Sequence, residues 1–98
     1  MIFEWDEHKN RTNKRKHGIS FEESIRVFND EDSIEIYDSI HSVNEERYIV
    51  IGRITEKTVI CLVCTFRSRD VLRIISARPA NTKEKEEYYG TYQVNHLG

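Results

Sequence analysis

Three arginines, a serine and a histidine carry the chemistry this chain could do. Arg73, Ser76 and Arg78 lie inside the run 71–78, Val-Leu-Arg-Ile-Ile-Ser-Ala-Arg, and Arg67 follows the apolar run 59–66. A run of Val, Leu and Ile without Gly or Pro reads as a buried strand, and guanidinium groups are rarely placed there without a partner. Ser68-Arg69-Asp70 turns one run back on the other as a hairpin, which would gather the three arginines near one part of one sheet. The planar guanidinium suits a two-pronged hold on phosphate or carboxylate, so the cluster is either an anion site or a set of structural ion pairs. Strict alternation sends Arg73 and Arg78 to opposite faces unless a bulge intervenes. Ser76 has no base near it in sequence, so it suits a hydrogen bond better than nucleophilic attack.

For proton transfer the first candidate is His17, beside Lys16, because imidazole titrates near neutral pH. Its plainer reading is a helix-end residue that satisfies backbone carbonyls. His41 is the alternative, in a loop with Glu45 and Glu46 to orient it. Cys61 and Cys64 form C-x-x-C, yet along a strand an odd separation points the thiols to opposite faces, where they read as core fillers. No spacing suggests a metal site, and no cofactor is expected.

These residues need elements to position them. Residues 2–5 read as a short edge strand, and Asp6 caps a helix over 7–17 that ends at Gly18. That helix has no apolar stripe; it is either a solvated helix or a basic surface for RNA or an acidic protein. Ser20 with Glu23 is a capping box, and Phe21, Ile25 and Phe28 give a second helix an apolar face. Four runs, 33–38, 47–54, 59–66 and 71–78, then form an antiparallel meander. Asn81 caps a short last helix, and residues 92–98 read as a loose tail. The expected fold is α+β, with two N-terminal helices on a four- to five-stranded, mainly antiparallel sheet.

The chain has 98 residues and a formal net charge of −2, which fits one domain, residues 1–98. No run approaches a membrane span and the first residues lack signal-peptide order, so the chain reads as cytoplasmic. The small net charge hides local excesses: residues 7–16 hold five bases against one acid, and residues 67–78 four against one.

Phe3-Glu4-Trp5-Asp6, Lys16-His17-Gly18-Ile19-Ser20-Phe21-Glu22-Glu23, His41-Ser42 with Glu45-Glu46-Arg47-Tyr48, Ile51-Gly52, Thr65-Phe66-Arg67, and the run Arg73 to Arg78 occur in that order. Together they resemble the BrnT family of bacterial toxins. The resemblance implies a RelE-like fold and an endoribonuclease that inhibits translation and growth. A BrnA-type antitoxin, a small DNA-binding dimer, would neutralise it in a heterotetramer that represses its own operon, touching operator DNA only through the antitoxin. Without a metal, cleavage would use the RNA's own 2′-hydroxyl. His17, Lys16, Arg67, Arg73, Ser76 and Arg78 are the expected catalytic set, with no membrane partner. Two rival readings stand beside this one. The chain could bind RNA or protein without turnover, through the basic helix and the arginines, or the helix over 7–17 could meet the antitoxin.

Overall fold

The computed structural model describes residues 1–97; Gly98 lies outside the described residues. Its elements are β1 (Ile2–Glu4), α1 (Glu7–His17), α2 (Phe21–Ser24), a 3₁₀ segment (Ile25–Asn29), β2 (Ile34–Tyr37), β3 (Tyr48–Thr55), β4 (Thr58–Ser68), β5 (Val71–Pro79) and α3 (Thr82–Asn95). The five strands make one mixed sheet in the order β1-β5-β4-β3-β2. The meander is antiparallel throughout, whereas β1 joins β5 in parallel.

Both faces of the sheet are covered, as the side-chain alternation requires. One carries Val50, Ile60, Leu62, Cys64, Leu72, Ile74 and Ala77 against Ile19, Phe21 and Val27. The other carries Ile51, Val59, Cys61 and Ala80 against Tyr88 of α3. The second helix is shorter than its apolar spacing implies. After four residues the chain tightens to 3₁₀, with Ser24 Oγ bonding back to the Phe21 carbonyl at 2.8 Å. Val27 is thereby driven onto Gly52, where a Cβ would come within 2.5 Å of its methyl group.

The last helix is longer than expected, and the expected tail is helical to Asn95. Tyr88, Tyr92 and His96 recur at i, i+4 and i+8, and the Tyr92 and His96 rings stack at 4.1 Å. Asp32 then takes hydrogen bonds from Asn95 (3.1 Å) and His96 (3.0 Å). No helix of the described residues is long and apolar enough to cross a membrane.

The two edge strands are so short that the inner strands outrun them. β1 pairs only as far as Arg73, yet β5 continues to Pro79. Beyond that point Asn13 of α1 substitutes for a strand. Its amide donates to the Ala77 carbonyl at 2.7 Å and its oxygen accepts from the Ala77 N–H at 3.2 Å, with a further bond to the Ile19 carbonyl at 2.9 Å. Asn10, one turn earlier, accepts from the Phe21 N–H at 2.8 Å and donates to Glu22 at 2.7 Å. The buried stripe of α1 is therefore made of asparagines, which an apolar-periodicity search does not register. At the opposite edge Asp30 accepts from the Arg53 N–H at 2.8 Å and from the Tyr88 hydroxyl at 2.6 Å.

Unpaired buried backbone groups are costly, so Asn13→Leu should lower unfolding stability by about 2–4 kcal/mol. Arg11→Ala, on the exposed side of α1, should change it by less than about 0.5 kcal/mol. Urea denaturation of both variants checks this.

Candidate active site

A bulge in β5 decides where the arginines point. Val63 pairs with Ser76 and Cys64 with Ile74, so Ile75 is an extra residue in β5. One extra residue flips the parity of the strand on either side of it. Arg73 pairs with Thr65, Ser76 with Val63 and Arg78 with Cys61, three positions on one face of β4. The three polar side chains consequently share the face on which α3 packs at its far end, as strict alternation would have forbidden.

Arg67 does not join them. It is the extra residue of a second bulge, between the pairs Phe66–Leu72 and Ser68–Val71, and it is exposed beside the hairpin turn. Six residues of β4 separate it from Cys61 opposite Arg78, about 20 Å of strand. The expectation that all three gather in one place is corrected: the hairpin turn makes neighbours of Arg67 and Arg73 and sends Arg78 to the far end. Arg73 and Arg78 are themselves about 13 Å apart along the sheet at the backbone.

Both face-sharing arginines already have carboxylate partners. Arg73 bonds Glu4 of β1 at 2.7 Å. Arg78 makes a two-pronged contact with Glu84 in the first turn of α3, 2.8 Å on each prong, and a 3.3 Å bond to the Pro79 carbonyl. Glu84 is pinned in turn by the Asn81 N–H at 2.8 Å, its half of a capping box. The hydrogen bonds that Arg78 donates to Glu84 hold that carboxyl below its ordinary value and raise the guanidinium above its own. A guanidinium has five N–H donors, so Arg78 keeps two and Arg73 four for a ligand. Among the described residues Arg67 has no ion-pair partner.

His17 ends α1 one turn beyond Asn13 on the same helix face, on the helix that Asn13 clamps to Ala77 of β5. It is half-buried, Lys16 is exposed, and the His17 ring makes no hydrogen bond to a described residue. Helix ending falls instead to Gly18, at φ 74°, whose N–H bonds the Lys14 carbonyl at 2.8 Å. Ser76 Oγ likewise has no described partner, and no histidine is bonded to it.

His41 is oriented by Asp38 and not by Glu45 or Glu46. Its Nδ1 is 2.8 Å from Asp38 Oδ2, and Asp38 also accepts the His41 N–H at 3.3 Å, a local turn between residues three apart. Burial opposes ionisation of Asp38, but the bonds from His41 hold its carboxyl below its ordinary value. Cys61 and Cys64 lie in the cores on opposite faces, and burial pushes their thiols up to about 11 and about 12. They are protonated at neutral pH, which suits core filling. Among the described residues no three His, Cys, Asp or Glu side chains converge as a metal site would require.

Sequence reasoning missed Glu84 and Glu4 as arginine partners, and Asn13 as the residue that carries α1 to β5. Only Asn13 left a signal, as one of two asparagines three apart in an otherwise charged helix.

Comparison with known proteins identifies the lineage of this arrangement. A crystal structure of the ribonuclease toxin BrnT from Brucella abortus is similar, with a TM-score of 0.66 and 22% identity over 84% of this chain and 100% of that one. That likeness concerns the fold: α+β, with a five-stranded mixed sheet. No curated protein sequence matches. The family model described as "Ribonuclease toxin, BrnT, of type II toxin-antitoxin system" matches residues 5–84, from just after β1 through the whole meander to the partner of Arg78. The chain therefore belongs to the BrnT family of ribonuclease toxins of type II toxin–antitoxin systems.

Proposed function

We propose that this chain is a RelE-like, metal-independent endoribonuclease whose cutting of RNA inhibits translation and growth. A BrnA-type antitoxin, a small DNA-binding dimer, neutralises it in a heterotetramer that represses the operon. The observation that carries the reading is the β5 bulge, which puts Arg73, Ser76 and Arg78 on one sheet face.

In this reading the substrate's 2′-oxygen attacks phosphorus in line, the bond to the 5′-oxygen breaks, and a 2′,3′-cyclic phosphate and a 5′-hydroxyl are left. Charge builds on the non-bridging oxygens during the step, where guanidinium donors act most strongly. Arg78 serves the scissile phosphate, with Glu84 holding its plane. Arg73, about 13 Å along the sheet, holds a neighbouring phosphate of the same strand. Arg67 and Lys16 extend the track for the RNA backbone, and Ser76 donates a hydrogen bond between the two arginines. Arginine stays protonated, so proton transfer falls to His17, which Asn13 positions.

The second reading is a module that binds RNA or protein without turnover. The ion pairs of Arg73 with Glu4 and of Arg78 with Glu84 favour it, since such pairs also serve structure alone. Cleavage of purified RNA separates the two.

Arg78→Ala should slow cleavage by about 10²–10³-fold and His17→Ala by about 10²–10⁴-fold, with unchanged circular dichroism and loss of growth inhibition. Full toxicity in both variants would reject the site. Cleavage should also persist in chelator and leave cyclic or 3′-phosphate ends; activity lost to chelator and restored by magnesium would reject the route.

A further inference from the structure

Charge is segregated across the sheet. At the β1–β5 edge lies α1, where residues 7–16 carry five bases and one acid. At the β2 edge, residues 30–46 carry seven acids and no lysine or arginine. RNA phosphates are attracted to the first edge and repelled by the second.

The acidic edge nevertheless exposes apolar surface that a lone protein normally covers. Tyr37 of β2, Tyr48 of β3 and Phe66 of β4 form a ladder across three strands, with ring centroids 5.5 and 5.9 Å apart and edge-to-face contacts. Tyr37 and Phe66 are 49% and 50% exposed, and Ile40 and Val43 in the adjoining loop are 80% and 81% exposed. β2 is the outermost strand, so its outer edge has no strand beside it. Exposed aromatics beside aliphatic side chains mark a protein-docking surface more than a base-stacking one when the rim is acidic.

We propose that this acidic, aromatic β2 edge docks the antitoxin through an apolar segment flanked by lysine or arginine, and leaves the basic edge to RNA. That the partner is an antitoxin rests on the toxin–antitoxin function proposed for the chain; the chemistry of the segment rests on the charge and exposure of the surface. The Asp38–His41 pair lies in the same loop and fixes its shape.

The test uses the full chain and the separately purified product of the neighbouring reading frame, titrated by calorimetry, with cleavage of a purified RNA as an independent readout. Tyr37→Lys, Ile40→Lys and Glu35→Lys should each weaken binding at least about tenfold while the free variants cleave RNA as before. Lys9→Glu, on α1, should leave binding unchanged. If Tyr37→Lys fails to fold, the loop variant Ile40→Lys decides alone. Four results would overturn the proposal: no binding by the native chain, unchanged binding by the β2-edge variants, lost cleavage with retained binding, or self-association of this chain that the same variants abolish. A chain that cleaves no RNA but binds through this edge would sink the ribonuclease reading and keep this one.

Discussion

An asparagine amide finishing the open edge of a strand is the contact on which the arrangement depends. Backbone N–H and C=O groups buried without partners are expensive, and a sheet whose edge strands are three and four residues long leaves such groups on the longer inner strands. Asn13 answers this at Ala77 and Asp30 answers it at Arg53, one on each side of the sheet. Both residues also bind a second element: Asn13 the carbonyl of Ile19 after α1, and Asp30 the hydroxyl of Tyr88 in α3. The same two side chains thus close the sheet and dock the helices that frame it. A helix with no apolar stripe is held in place because its buried side is a row of hydrogen bonds.

The functional consequence comes from where Asn13 stands. α1 is free to spend its remaining surface on charge, and Asn13 anchors it to the part of β5 that follows the bulge. The arginines sit in tension between structure and chemistry. Glu4 and Glu84 neutralise them in the free protein, which limits the cost of two cations on one sheet face and also sets each guanidinium's plane. In the function proposed for the chain, a phosphate takes the donors left over.

Much of the fold was legible from residue pattern. The meander was written in four apolar runs with turn residues between them, Gly18 and the Ser20–Glu23 box marked helix boundaries, and the opposite facing of Cys61 and Cys64 followed from strand alternation. The errors share a cause. Rules of periodicity see apolar residues, so they missed the asparagine stripe of α1 and the mixed Tyr88, Tyr92, His96 stripe that keeps α3 helical past the point where a tail was expected. Bulges are tertiary adjustments with no local signature here, since Ile75 looks like any other strand residue. For that reason the pairing of Arg73 with Arg78 on one face, and the exile of Arg67, required the register of β4 on β5. The carboxylate partners of the arginines, 69 and 6 residues away in sequence, were equally invisible.

The central proposal is that Asn13, which clamps α1 to the edge of β5, positions His17 for proton transfer. The most direct measurement is a double-mutant cycle on the rate of RNA cleavage, with Asn13→Ala, His17→Gln and the double variant, each assayed below its unfolding transition. If Asn13 works through His17, the double variant cleaves no more slowly than His17→Gln alone. Losses that multiply would show that the two residues act independently and would contradict the account.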